Sequence, residues 1–171
     1  VDMPEDIVPL PQQQELRLRC NFVNKLCKKY GKDKCLYVSI HVNAAGGEGK
    51  WMLAGGWCAY TSKGTTISDI LAERLYEAAE KHLNGYAEIM EKGKQEGLYS
   101  SKQTPIRTDK SDGDKDLEAD FFVLKHTACA AVLTENLFMD NKRDVSFLLS
   151  EKGKQSIVAL HRDGILNFIK Q

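Results

Sequence analysis

The sequence has 171 residues, of which 42% are hydrophobic, and its 24 lysine and arginine residues balance its 24 aspartate and glutamate residues. This length suits one domain with a full hydrophobic core, and the charge balance argues against a nucleic-acid partner, which would require a basic excess. No apolar run approaches the roughly 18 residues of a membrane-spanning helix. We expect a single domain that is monomeric, with no membrane span.

The beginning of the chain is unusual. Val1 is not an initiator methionine, and no signal peptide is visible. The segment "VDMPEDIVPLP" predicts the end of a strand followed by an extended loop that contains prolines. The domain, residues 1–171, is therefore expected to be truncated at its N-terminus.

The first half of the chain predicts alternating helices and strands. Apolar residues at helical spacing in 12–30 predict a helix that ends at Gly31. The run 36–40, "LYVSI", predicts a short buried strand, because both of its faces are mostly apolar. Residues 55–62 predict a second strand, and Thr66 or Ser68 is expected to cap a helix that reaches about residue 82.

The second half begins with a polar segment. Residues 84–119 show no hydrophobic period, which predicts a disordered segment or a functional loop. The runs 121–126, "FFVLKH", and 130–138, "AAVLTENLF", predict strands, and the second is expected to break at Glu135. Residues 141–170 predict a helical end.

This alternation predicts an α/β fold with a mainly parallel sheet flanked by helices on both faces. Ligands of such sheets bind beyond the carboxyl ends of the strands. Two apolar runs, "VSIH" and "VLTE", each end in a side chain capable of chemistry, His41 and Glu135. The two residues therefore form the predicted functional site.

Each of these residues has two interpretations. His41 could present a ring nitrogen to zinc, or it could be a histidine that is hydrogen bonded where a strand meets solvent. A carboxylate such as Glu135 is costly to bury without a partner. It either takes a proton from an attacking water or lies in a solvated or salt-bridged position.

The five cysteines and the remaining polar motifs give weaker signals. An odd number of cysteines without a Cys-x-x-Cys pair predicts free thiols rather than disulfides or a thiolate zinc site. Asn43 and Asn136 lie just past His41 and Glu135, where they could bind substrate, orient the site or form turns. His82, His126 and His161 are better explained as surface or helix residues, and His126 is the one of the three that comes nearest to an additional metal ligand.

Three segments together resemble the zinc-dependent N-acetylmuramoyl-L-alanine amidases, the family Amidase_3. They are "LRLRCNFVN" (16–24), "LYVSIHVNA" (36–44) and "FFVLKHTACAAVLTENLFMDNKRDVSFL" (121–148), and their order and separation match as well. The combination of "SIHxNA" with "VLxExxFxxN" about ninety residues later is specific. The resemblance covers essentially the whole chain and is strongest to the phage and gut-bacterial types.

The resemblance implies hydrolysis of the amide between N-acetylmuramic acid and L-alanine in peptidoglycan by a zinc-activated water. It implies that His41 is a zinc ligand and that Glu135 is the general base and acid. Asn43 and Asn136 lie within the matching motifs without a fixed role and stay candidates for substrate binding, and Arg107 matches a basic residue of the family near the substrate groove. The resemblance also implies action outside the cell, in the periplasm or in the cell wall, or a phage-borne lysin.

Two expected zinc ligands have no match in this sequence. Family members carry a further histidine in a Gly-His-Gly-like motif and a glutamate on the next helix, and neither Glu5 nor Glu15 lies in a matching context. One ligand of three would not hold the metal. Either the missing ligands precede Val1, or the chain is a catalytically incomplete peptidoglycan-binding or regulatory module on the same fold. A hydrolase with Cys129 as its nucleophile is a third possibility, but it leaves the His41–Glu135 pairing unexplained.

Overall fold

The computed structural model describes residues 11–46, 48–111 and 113–170. The strand end predicted within residues 1–10 lies outside this range. In chain order the elements are α1 (Gln12–Tyr30), β1 (Leu36–Asn43), β2 (Cys58–Thr61), α2 (Ile67–His82), α3 (Asn84–Gln95), β3 (Leu117–Glu118), α4 (Phe122–His126), β4 (Ala130–Phe138), α5 (Lys142–Leu149) and α6 (Glu151–Ile169).

The four strands form one sheet in the order β1-β4-β2-β3. The β4 strand pairs in parallel with β1 and antiparallel with β2, and β2 pairs in parallel with β3. The predicted α/β fold with a mainly parallel sheet is confirmed. The β1 strand lies at an edge of the sheet that the described residues form. The prediction that it is buried on both faces is wrong, because Ile40 and Val42 on one face are 60% and 37% exposed.

Helices cover both faces of the sheet, as predicted. The larger core lies under α2, α3, α5 and α6 and contains Trp57, Leu75, Tyr76 and Val132. The smaller core lies under α1 and α4 on the other face, and its buried members are Cys20, Val123, Leu124, Ala131 and Leu133. Within the part of the chain that the structure describes, no helix combines the length and the apolar character required to cross a bilayer.

Local sequence signals set the C-terminal end of α1 and the start of α2. Gly31 has a φ of 97°, a conformation that glycine adopts readily, and its amide donates to the Cys27 carbonyl at 2.9 Å. Thr66 caps α2, because its hydroxyl accepts from the Ser68 amide while the Asp69 carboxylate accepts from the Thr66 amide. The predicted helices at these positions are confirmed.

Residues 84–119 differ from their prediction because they contain α3. Tyr86 and Met90, one turn apart, are fully buried against the larger core. Gly93 follows on the same helix, and a Cβ atom there would lie 2.6 Å from the Tyr99 ring. Two buried residues and one close contact anchor this helix, so its apolar period is too sparse to stand out in the sequence.

The second difference is α4, since residues 121–126 form a short helix and not the predicted strand. Val123 and Leu124 pack into the smaller core, and the Thr127 hydroxyl donates to the Val123 carbonyl at 2.6 Å. A short apolar run is compatible with either a buried strand or a buried helical turn. The β4 strand also continues through Glu135 to Phe138, so the predicted break at Glu135 is wrong.

The buried carboxyl group of Asp116 is expected to make the stability of the protein depend on pH. Asp116 is 3% exposed, and the Thr61 hydroxyl donates to its carboxyl at 2.5 Å. Burial raises the pKa of Asp116 to about 7, and the Thr61 hydrogen bond opposes this rise. A carboxyl whose pKa is raised by folding stabilises the fold below its unfolded pKa of about 4, and this contribution is lost as the pH rises through 7.

We therefore expect Asp116→Asn, which cannot ionise, to be more stable than the parent at pH 8 and to differ little from it at pH 4.5. The gain at pH 8 should be on the order of a few kcal/mol. Urea unfolding at both pH values measures it, with Asp33→Asn, an exposed site, as the control. An equal difference between variant and parent at both pH values would contradict this account.

Candidate functional site

The parallel pairing of β1 and β4 places His41 directly beside Glu135, its partner in the register. On the other side of β4, the antiparallel β2 strand places Cys58 opposite Glu135. The structure therefore brings together the two residues that the sequence pattern singled out, although they are far apart in the chain. They lie in the carboxyl-terminal halves of two parallel strands, where ligands of such sheets bind.

Both side chains project from the same face of the sheet. Ala131 and Leu133 pack into the smaller core under α1 and α4, and side chains on a strand alternate between faces. Glu135 therefore projects toward that face, beyond the end of the packed core. Tyr37 packs there as well, so His41, four residues later, shares the same side.

His41 is held from two directions. The Ser39 hydroxyl lies 2.9 Å from the His41 Nε2 atom, and the Asn136 amide donates to the His41 carbonyl at 2.9 Å. The ring itself is exposed. His41 thus combines a fixed backbone with an accessible imidazole, as a ligand or a hydrogen-bonding group for substrate requires.

Glu135 has an unusual environment for a carboxylate. Its Oε2 atom is buried and has no hydrogen-bond partner among the described residues. Burial raises the pKa of Glu135, and the positive charge of Arg107 opposes this rise. A buried carboxylate oxygen without a partner is costly, so this oxygen is suited to a proton or to a bound group.

Arg107 reaches the same site from the loop that follows α3. Its amide donates to the Trp57 carbonyl at 2.8 Å, and its carbonyl accepts from the Tyr76 hydroxyl at 3.0 Å. Its guanidinium carbon lies 5.4 Å from the centre of the Phe138 ring, and a guanidinium nitrogen lies 3.7 Å from the Cys58 sulfur. The cation is therefore held over β2 and β4, close enough to influence Glu135.

Asn136 lies behind the pair, in the interior. It is 2% exposed, and its side-chain oxygen accepts from the Trp57 indole at 3.0 Å. Its amide nitrogen donates to the Thr134 hydroxyl at 3.1 Å as well as to the His41 carbonyl. These bonds connect the larger core to the backbone of β1 at His41.

The two strands change register just beyond the pair. His41 pairs with Glu135, whereas Asn43 pairs with Phe138, so β4 carries one extra residue. Within this bulge, Leu137 has a φ of 66°, which is costly for a branched residue and is maintained by the surrounding packing. Bulges commonly redirect side chains beside active sites.

Asn43 begins the loop that leaves β1. Its side-chain oxygen accepts from the Ala44 amide at 2.8 Å. The Asp140 carboxylate accepts from the amides of Ala45 and Gly46 at 2.7 and 3.1 Å, and so fastens this loop to the turn after β4. Asn43 is half-buried next to the His41–Glu135 pair.

The described residues do not complete a zinc site. A catalytic zinc requires three protein ligands, and no group of three histidine, cysteine, aspartate or glutamate side chains within 11–46, 48–111 and 113–170 is placed to hold a metal ion. His41 and the unpartnered oxygen of Glu135 supply suitable chemistry. By themselves they form an incomplete set of ligands.

Two neighbours of the site were not predicted. Ser39 could have been found, because it precedes His41 by two residues and so lies on the same face of a strand. Cys58 gave no local signal, since only the pairing of β2 with β4 places it beside Glu135. Burial raises the pKa of the Cys58 thiol to about 11, and Arg107 opposes this rise.

Cys129 and His126 lie away from the site. Both precede β4, at the opposite end of the strand from Glu135. Cys129 is 6% exposed, and burial raises the pKa of its thiol to about 12. A nucleophile requires an accessible thiolate, so the structure argues against Cys129 as a nucleophile and against His126 as a ligand beside His41. All five cysteines are free thiols, as predicted.

The sequence profile of the family Amidase_3, described as N-acetylmuramoyl-L-alanine amidase, matches residues 8–167. The chain is 30% identical over 137 residues to the endolysin of Bacillus phage SPP1, covering 78% of this chain and 40% of that protein. It is 30% identical over 155 residues to the N-acetylmuramoyl-L-alanine amidase CwlM of Bacillus licheniformis, covering 90% of this chain and 46% of that protein. The chain thus spans less than half the length of these two relatives.

Solved structures show the same fold. An N-acetylmuramoyl-L-alanine amidase of Clostridium difficile 630 superposes with a TM-score of 0.63 at 17% identity, covering 91% of this chain and 66% of that chain. The catalytic domain of CwlV, an N-acetylmuramoyl-L-alanine amidase of Bacillus (Paenibacillus) polymyxa var. colistinus, gives 0.59 at 18% identity, covering 91% and 65%. At these identities the likeness concerns the fold.

Proposed function

Because the chain belongs to the N-acetylmuramoyl-L-alanine amidase family Amidase_3, we propose that the protein hydrolyses the amide between the lactyl group of N-acetylmuramic acid and L-alanine in peptidoglycan. The observation that carries this proposal is the pairing of His41 with Glu135, together with the buried Oε2 atom of Glu135, which has no hydrogen-bond partner among the described residues. Its substrate would place the protein's action at the cell wall, outside the cell or in the periplasm.

In this proposal Glu135 moves the proton. It accepts a proton from the water that attacks the lactyl carbonyl carbon, and it returns this proton to the alanine nitrogen when the carbon–nitrogen bond breaks. Arg107 lies close enough to attract negative charge that develops on the substrate. Asn43, at the start of the neighbouring loop, would contact the peptide or the sugar.

We assign His41 and Asn136 different supporting roles. His41 would supply one ligand of a zinc ion in the complete protein, and the other ligands would lie outside the described residues. Asn136 is buried and bonded to the His41 carbonyl, so it would position His41 and would act on substrate only through it. In this assignment Asn43 and Arg107 would make the contacts with the substrate.

A product analysis with the complete protein and purified peptidoglycan tests the proposal. Cleavage of the proposed bond creates new amino-terminal alanine without new reducing sugar ends, and dinitrophenyl labelling detects the alanine amine. We expect alanine amines alone to increase with time. New reducing ends without new alanine amines would show a glycosidase and would overturn the proposal.

The incomplete ligand set within the described residues favours one alternative, a peptidoglycan-binding or regulatory module without turnover. Such a module would sediment with insoluble peptidoglycan, contain no stoichiometric zinc and release no alanine amine. Stoichiometric zinc in the purified complete protein, together with product release, would exclude it.

A further inference from the structure

Positive charge is concentrated at α1 and the turn that follows it. The chain as a whole is neutral, yet residues 12–35 carry seven basic side chains and two acidic ones. The basic ones are Arg17, Arg19, Lys25, Lys28, Lys29, Lys32 and Lys34. The rest of the chain is correspondingly acidic, so this local excess is a property of one surface.

Three of these lysines converge on one open cavity. Lys25, Lys28 and Lys32 line a cavity of about 640 Å³ together with Asn21. All three lysines are exposed, and none forms an ion pair with another described residue. Three uncompensated ammonium groups around one cavity favour a ligand with several negative charges.

A second cavity, of about 450 Å³, continues this one along α1. It shares Asn21 and Asn24 with the first cavity and adds Arg17 and His126 to the lining. From Arg17 to Lys28 the helix rises about 16 Å. We call the two cavities together the α1 groove. Its shape is elongated, which suits a linear ligand better than a small ion.

The wall of the α1 groove is held in place by hydrogen bonds. The Asn24 amide donates to the His126 carbonyl at 2.7 Å, and its side-chain oxygen accepts from the Ala128 amide at 2.8 Å. These bonds attach α1 to the segment that leads into β4. The position of α1 at the wall of the groove is therefore fixed by these two hydrogen bonds.

The lysine-lined part of the groove is separate from the His41–Glu135 pair. Cys27 and Ala128 in its lining precede β1 and β4, at the amino ends of both strands. His41 and Glu135 lie five residues into these strands, a separation of about 16 Å. A ligand of this cavity would therefore not occupy the proposed catalytic site.

We propose that the α1 groove binds a linear, phosphate-bearing polymer that has no aromatic bases. Lysine ammonium groups bind phosphate as point charges, and Lys25 and Lys28 on α1 with Lys32 in the turn after it offer several charges to one ligand. Bases would require free aromatic faces for stacking. The lysine-lined cavity has no aromatic residue in its lining, and the two aromatic rings that line the second cavity, Phe122 and His126, pack edge to face against each other. The groove would hold the protein on a polyanionic surface while catalysis proceeds elsewhere.

The test compares two triple variants of the complete protein that lose the same charge. Lys25→Gln/Lys28→Gln/Lys32→Gln removes the groove cations, and Lys50→Gln/Lys102→Gln/Lys142→Gln removes three exposed lysines outside the groove. Isothermal titration with inorganic polyphosphate at two salt concentrations measures the affinity. We expect the groove variant to bind about tenfold more weakly or worse, and the control variant to stay within about threefold of the parent.

Further probes identify the source of the phosphate. Single inorganic phosphate should bind far more weakly than polyphosphate, because it meets fewer lysines. Equal losses in both triple variants, or no polyphosphate binding by the parent, would overturn the proposal. Tighter binding of a single-stranded oligonucleotide, or capture by phosphatidylglycerol vesicles without polyphosphate binding, would overturn it as well. Because binding is measured without turnover, the result is independent of the amidase proposal.

Discussion

Glutamine in place of Glu135 is expected to lower kcat of the complete protein on peptidoglycan by about a thousandfold, within the range of general acid–base catalysis. Glutamine keeps the size of the side chain but cannot accept the proton of the attacking water. It also removes the charge from a carboxylate whose buried Oε2 atom has no hydrogen-bond partner in the part of the chain that the structure describes. We therefore expect Glu135→Gln to fold normally and to unfold at a temperature no lower than the parent.

Release of alanine amines under saturating peptidoglycan measures kcat, and thermal unfolding verifies the fold. Glu88→Gln is the matched control, since Glu88 is exposed on α3 and should leave kcat unchanged. A Glu135→Gln protein that releases alanine at the parent rate would remove Glu135 from the mechanism. Binding of polyphosphate to the α1 groove should be unaffected by this variant.

The second large effect is a loss of stability, which we expect when Asp144 is replaced. Asp144 is fully buried and accepts hydrogen bonds from the hydroxyls of Tyr86 and Tyr99 at 2.7 and 2.6 Å. Its other oxygen accepts from the Phe138 amide at 2.9 Å. Burial raises the pKa of Asp144, and these hydrogen bonds oppose the rise.

Asp144→Ala would leave two buried hydroxyls and one buried amide without their acceptor. We expect a loss of about 3–5 kcal/mol in the free energy of unfolding and a fall of about 10 °C or more in the unfolding temperature. Asp144→Asn, which keeps one acceptor oxygen, should lose less.

Urea unfolding measures the difference, and Asp33→Ala serves as the control. Asp33 pairs with Lys34 on the surface, where both side chains are more than 70% exposed, so its replacement should cost under about 1 kcal/mol. Losses of the same size at Asp33 and Asp144 would show that the buried hydrogen bonds contribute little.

Glu135 and Asp144 differ in how far the sequence predicts their roles. Glu135 was predicted because an apolar run ends in a carboxylate, which is a local pattern. Asp144 lies in the first turn of α5, and Asn141 caps that helix through the amides of Arg143 and Asp144. The hydrogen bonds that Asp144 receives were not predictable, because Tyr86 is 58 residues away in the chain.

The sequence by itself determined the helices α1 and α2, the β1 and β4 segments and the two principal candidates for site residues. Each depends on groups within a few positions of one another, such as Gly31 at a helix end or the capping pair Thr66 and Asp69. The distinctive "SIH" and "VLTE" motifs indicated the family Amidase_3, because each is a pattern of adjacent residues. Local hydrogen bonds and side-chain periodicity depend on residues that are close together in the sequence.

The tertiary structure alone decided which strands are neighbours, that β2 runs antiparallel to β4, and that a sparse apolar pattern forms α3. It also placed Arg107 beside Glu135 and buried Asn136 behind His41. None of these arrangements has a local signal, because each joins residues that are distant in sequence and depends on how the helices pack on the sheet. The free energy of that packing is shared among many contacts, and so no single stretch of the sequence reveals it.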